Sequence, residues 1–288
     1  MTGHTGEWLQ VNVSLARHGE SALPSARALL RKLEATLPGW RRQRILSQFF
    51  FQRKPPDLRL RFRGQRERLL ARLRPLLSQM KAEGHIGRSF CSVYEPEQRQ
   101  FGGRECMRHV HAYWDADSMA WIVLDRFIEA KTFGIQYPAL MAAILNDLFW
   151  RTLQDGGEVW DTWCNVVVLL QSETEDHAPP FDPPSFESLA GRASDAEVEI
   201  LRRYREANEA LAAGLLRAWD RGKVSFGMRS ILPYAALFTL NRHGFDQPKA
   251  AEVARAMATA WNPKTRLRGS LPEAPRCADR TRRAQDAG

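Results

Sequence analysis

Ser230 and Tyr234 stand four residues apart in an apolar run from Val224 to Arg242, so a helix there puts both hydroxyls on one face. Polar groups in such a segment need partners if buried, and acid/base or oxyanion contacts to a substrate are one way of having them. Tyr94 and Glu97 form a second polar pair, just after an extended segment. Their plain reading is a buried ring with a satisfied hydroxyl and a carboxylate paired with Arg99 or Arg104. Arg59, Arg61 and Arg63 alternate with Leu58, Leu60 and Phe62. On pattern alone they are the solvated face of a half-buried strand. Trp160 and Trp163, three apart, are core residues or a wall for a flat ligand. His109 and His111 are two apart and do not share a helix face, which argues against a metal pair.

These groups need elements to position them. Glu7–Ala16 alternates as a strand and Ser21–Leu37 has leucines at helical spacing. Ile45–Arg53 and Asp57–Arg63 are strands around Pro55-Pro56, which predicts a hairpin. An amphipathic helix over Gln65–Glu83 and a strand over Ile86–Tyr94 complete a ferredoxin-like β-α-β-β-α-β order across residues 7–103. After Gly102-Gly103 the chain turns helical through residue 262, with helices at Arg104–Tyr113, Ser118–Lys131, Tyr137–Leu153, Val159–Leu170, Ser194–Arg221, Val224–Arg242 and Gln247–Trp261. Asp117-Ser118 fits an N-cap and Asn241-Arg242 before Gly244 a C-terminal stop. Pro233 predicts a kink or break. Residues 171–192, rich in Pro, Asp, Glu and Ser, predict a surface loop. The fold class is α+β, one domain over 1–262, with a basic tail at 263–288.

With 44% hydrophobic and 26% charged residues over 288 positions, the chain has the composition of a folded soluble protein. Cys91, Cys106, Cys164 and Cys277 form no CxxC pair, which predicts free thiols in a reducing compartment rather than a zinc site or a disulfide framework. No apolar h-region marks the N-terminus, and the longest apolar run, Val166–Leu170, is too short to span a bilayer, so a cytoplasmic location is expected. The formal net charge of +9 suits an acidic partner. Neither an RNP-like pattern nor a helix-turn-helix signature points to nucleic acid. No Walker A, GxGxxG or HExxH motif calls for a cofactor.

Four segments in order, FFFQRKPPDLRLRF (Phe49–Phe62), YEPEQRQFGG (Tyr94–Gly103), WDADS (Trp114–Ser118) and NRHG (Asn241–Gly244), give the chain its family likeness. Over about residues 7–261 it resembles the elimination domain of class I lanthipeptide dehydratases and the stand-alone thiopeptide biosynthesis proteins built on that domain. The resemblance implies a leader-bearing, modified precursor peptide as substrate, other enzymes of the same pathway as partners, no membrane partner and no cofactor.

Two reactions are known for that family: elimination of glutamate from glutamylated Ser or Thr, and formal (4+2) cycloaddition of two dehydroalanines with expulsion of the leader. For elimination the resemblance implies two strand arginines, matched by Arg59 and Arg61, which would hold a carboxylate through charge-assisted bonds. It also implies the pattern E-x-x-R-Y-G-G, of which Glu97 is kept while Gln100 and Phe101 replace Arg and Tyr. The histidine expected four residues before the Asn-Arg pair is Leu237 here. Arg99 or His243 would compensate only with a shifted backbone. Gln lacks the charge and Leu has no proton to transfer, so the cycloaddition, which grips no glutamate, is the expected reaction. Glutamate elimination and a non-catalytic, leader-binding role are the alternatives. The candidate catalytic groups are Tyr94, Glu97, Ser230 and Tyr234. The candidate substrate contacts are Arg59, Arg61, Gln100, Trp163 and Arg242, and no metal ligands are expected.

Overall fold

The structure, a computed structural model, describes residues 7–171, 185–191 and 193–266. Its first half is β1 (Glu7–Leu15), α1 (Leu23–Arg42), β2 (Leu46–Lys54), β3 (Asp57–Gly64), α2 (Arg66–Ala82) and β4 (Ile86–Ser92). The four strands form one antiparallel sheet in the order β2-β3-β1-β4, as the ferredoxin-like pattern requires. Leu58, Leu60 and Phe62 of β3 and Leu9, Val11 and Val13 of β1 are buried together with the apolar stripes of α1 and α2. Alternation then sends Arg59, Arg61, Trp8, Gln10 and Asn12 to the opposite face.

The second half is α3 (Arg104–Glu129), α4 (Tyr137–Leu153), α5 (Gly156–Leu169), α6 (Phe186–Ala190), α7 (Asp195–Asp220), α8 (Met228–Arg242), α9 (Gln247–Trp261) and the short α10 (Pro263–Arg266). A second apolar cluster, built on α3 to α9, reaches the sheet through Phe50 of β2. α7 begins at a capping box in which Ser194 and Glu197 satisfy each other's backbone N–H.

Three expectations fail here. The predicted break at Trp114–Asp117 is absent: α3 runs unbroken, and Asp117 and Ser118 are buried in mid-helix rather than at an N-cap. Pro233 does not interrupt α8. Of the predicted 171–192 loop, residues 172–184 and 192 lie outside the described residues, while Phe186–Ala190 form α6, whose N-cap Ser185 accepts from the Ser188 N–H and whose Phe186 and Leu189 enter the helical core.

The misplaced Asp and Ser explain how the halves join. β2 is an edge strand, and its outward backbone groups are taken up by side chains instead of a fifth strand. The N–H of Phe49 donates to Asp115 Oδ1 (3.0 Å) and that of Phe51 to Ser118 Oγ (3.3 Å). The Arg53 N–H donates to Asn241 Oδ1 (3.1 Å), while Asn241 Nδ2 donates to the Arg53 carbonyl (2.9 Å) and Arg242 Nε to that of Phe51 (3.0 Å). The WDADS and NRHG segments are therefore the clamps that close a sheet edge, satisfying groups whose unpaired burial would be costly.

Candidate functional site

Across the sheet, register aligns Phe50, Arg61, Gln10 and Ser92 in one row. Arg61 is only 2% exposed, and its Nε donates to Gln10 Oε1 at 2.8 Å. Gln10 is fixed in turn, because its Nε2 donates to Asn12 Oδ1 (3.1 Å) and to Ser92 Oγ (2.8 Å). The guanidinium lies over the Tyr94 ring at 4.5 Å and the Phe50 ring at 5.1 Å. Its Nη1 is buried without a hydrogen-bond partner. Burial lowers its pKa, and Tyr94 and Glu97 oppose that effect.

Tyr94 follows β4 and is buried against Trp8 and Phe50. Its hydroxyl lies 2.8 Å from His111 Nε2 and 3.4 Å from Glu97 Oε2. Burial, reinforced by the Glu97 carboxylate, pushes the phenol well above its ordinary range, so it remains a proton donor. His111 comes from α3, packed against Trp8 with ring centroids 4.5 Å apart. Burial first, then the cations Arg63 and Arg61, push it down to about 3, so it is neutral at any working pH.

Lys54, at the end of β2, sits 5.0 Å over the Phe238 ring. Burial lowers its pKa, Glu97 raises it, and Arg61 and Arg59 lower it further, which places all four charges in one neighbourhood. Phe238 stacks on Trp114 (4.8 Å) and meets Phe101 edge-on. Phe101 in turn meets Tyr234 at 6.3 Å, and its N–H donates to the Glu97 carbonyl at 3.2 Å.

The structure therefore brings Arg61, Tyr94 and Glu97 together and links Tyr234 to them through Phe101, whereas Arg59, on the same face of β3, turns its Nε to the Pro55 carbonyl at 3.1 Å. Ser230 and Gln100 are exposed, and no side-chain contact joins them to this cluster among the described residues. Two expected substrate contacts are corrected. Trp163 has no exposed surface; it packs on Phe149 and its Nε1 donates to Asn146, so it offers no face to a peptide. Arg242 is equally enclosed, bound to Asp117 and the Phe51 carbonyl, and is a clamp. Leu237, at the position where the resemblance calls for histidine, lines an open cleft of about 370 Å³ together with the apolar Leu169, Leu240 and Phe245 and the polar Asn241, Asp246 and Gln247.

Sequence reasoning missed His111, Gln10 and Lys54. The first was legible in principle, since Met107, Val110, His111 and Trp114 share one helical stripe. The other two depend on strand register. Among the described residues no cluster of His, Cys, Asp and Glu could hold a metal, and no helix is long and apolar enough to cross a membrane.

Residues 8–261 match the family described as the lantibiotic biosynthesis dehydratase C-terminal region, and the chain belongs to that family. Among solved structures it is similar to the tRNA-dependent lantibiotic dehydratase MibB from Microbispora sp. 107891, at 19% identity and a TM-score of 0.69. That match covers 93% of this chain and 29% of the MibB chain, so this chain spans less than a third of that relative. No curated protein matches the sequence.

Proposed function

We propose that this protein matures a ribosomally made, leader-bearing peptide by joining two dehydroalanines in a formal (4+2) cycloaddition, which forms a pyridine-type ring and expels the leader. The observation that carries this reading is the hydrogen-bonded group His111–Tyr94–Glu97 beside Arg61, in a chain that has Leu237 where the resemblance calls for the proton carrier of elimination. The cycloaddition requires one backbone amide to reach its iminol form. A phenol and a carboxylate 3.4 Å apart suit that step, one giving a proton to the amide oxygen and the other taking one from nitrogen. Holding the two alkenes together supplies the larger share of the acceleration. The half-buried rings of Phe238 and Tyr234, backed by the enclosed Phe101, support such holding.

Glutamate elimination is the second reading, favoured by one feature: the buried Arg61 cation keeps an N–H without a partner, as a carboxylate grip would. Mass spectrometry separates the two. The protein is incubated with a leader-bearing peptide containing two preinstalled dehydroalanines, and separately with a glutamylated Ser peptide. Loss of leader amide plus water from the first supports the cycloaddition. Loss of glutamate from the second, with the first unchanged, overturns it.

A further inference from the structure

Tyr94 has one proton and two neighbours that can accept it: Glu97 Oε2 at 3.4 Å and His111 Nε2 at 2.8 Å. Which one receives the proton fixes what Tyr94 can offer a substrate. A carboxylate only accepts, a phenol can donate once and accept as well, and a neutral imidazole donates from one nitrogen and accepts at the other. If His111 accepted at Nε2, Tyr94 would spend its proton on the histidine, and two acceptors, the phenol oxygen and the carboxylate, would face each other at 3.4 Å. If His111 donates from Nε2, both contacts are satisfied in one direction, from His111 to Tyr94 to Glu97.

We infer that His111 is a positioning residue whose Nε2–H donates to the Tyr94 oxygen, turning the phenol proton toward Glu97 and the reacting groups. The surroundings reinforce this direction. His111 is buried among Trp8, Phe50 and Trp114, and the charged groups that act on it, Arg63 and Arg61, are cations that disfavour a second proton. It therefore stays a single-proton group, and the one proton it carries decides the polarity of the string. Arg61, lying over the Tyr94 ring, holds the phenol in place from the other side.

The assignment of the proton rests on geometry alone, while its effect on turnover rests on the function proposed above, so the test has two arms. In the first, the full chain is labelled with ¹⁵N-histidine, His111 is assigned by comparison with His111→Gln, and its tautomer is read by NMR. Neutral Nε2–H is the expected result. A neutral Nδ1–H tautomer overturns the inference whatever reaction the protein performs. The second arm measures turnover of the dehydroalanine peptide. Tyr94→Phe is expected to lower kcat by about 100-fold or more. His111→Phe should cost a similar factor, and the double variant should lose no more than either single, as for residues acting as a unit. His111→Gln keeps an N–H donor near the same place and should recover most of the loss. Additive losses, or no recovery by Gln in a variant whose melting temperature matches that of His111→Phe, overturn the inference.

Discussion

Asp117→Leu should nearly unfold this protein, and Asp117→Leu with Arg242→Met should restore part of what is lost. Asp117, Arg242 and His243 have no exposed side-chain surface. Asp117 pairs with the Arg242 guanidinium, lies 2.8 Å from His243 Nε2 and accepts from the Tyr204 hydroxyl at 3.1 Å. His243 Nδ1 lies 2.7 Å from the Tyr137 hydroxyl, so the group ties α3, α4, α7 and α8 together. Burial would raise the Asp117 pKa, but Arg242 and His243 outweigh it and hold the carboxyl below its usual range. Removing the carboxylate alone strands a buried guanidinium, which costs about 3–5 kcal/mol. A domain of this kind has roughly 5–15 kcal/mol in total. Removing both charges abolishes that penalty and leaves the lost bond to the Phe51 carbonyl, about 1–3 kcal/mol for a buried acceptor left unpaired. The double variant should therefore be more stable than the sum of the singles by about 2 kcal/mol or more. Urea denaturation of the four proteins in the cycle measures this directly. A single Asp117→Leu costing under about 1 kcal/mol, or additive singles, would refute the claim that the buried Asp117–Arg242 pair is a structural tie between α3 and α8.

Other expectations follow from the same geometry. Gly102 has φ +75° and a Cβ there would sit 2.6 Å from Ile231 Cδ1, so Gly102→Ala should cost about 1–3 kcal/mol in thermal or urea melts and displace the Glu97–Gly103 turn. His111 is pushed down to about 3 from an unfolded value near 6.5, so its contribution is fully present above about pH 6.5 and is lost as pH falls toward 3. Between those limits the unfolded state binds the extra proton, and wild type should lose about 1.4 kcal/mol per pH unit more than His111→Gln; parallel pH–stability curves would count against a buried neutral histidine. Trp163→Ala should cost about 3–5 kcal/mol in urea melts through the cavity it leaves, with KM for the peptide unchanged in the folded fraction.

The N-terminal half was legible because period-2 and 3.6-residue patterns do not compete there: Leu58, Leu60 and Phe62 lie on one face and the arginines on the other, as alternation requires. The end of α8 before Gly244 was legible too. The continuity of α3 was hidden, because Asp and Ser at mid-helix ordinarily prefer a cap, where their side chains bond local backbone. Here Asp115 and Ser118 bond the backbone of β2, and Asp117 bonds Arg242, partners 66, 67 and 125 residues away that no local pattern reveals. Trp163 was misread for a related reason, since spacing cannot say which side of α5 faces the core when apolar residues fall on both sides: Trp163 and Val166 are buried while Val168 is exposed. Arg61 and Glu97 were found through family likeness. Their companions Gln10, Lys54 and His111 required the register of β1 on β3 and the packing of α3 on β2.

The segments that give this chain its family likeness divide into two physical classes. WDADS and NRHG hold a sheet edge to the helices by satisfying the β2 backbone that has no neighbouring strand. They carry information about architecture and almost none about the reaction. Arg61 and Tyr94, from the other two segments, are buried where the sheet meets α3 and bond side chains rather than the β2 backbone. A difference there, Gln100 exposed at the arginine position, is free to track chemistry without disturbing the fold. A chain can thus keep every clamp and change its reaction, and for that reason the residues around Tyr94, rather than the family match, are where the reaction has to be read.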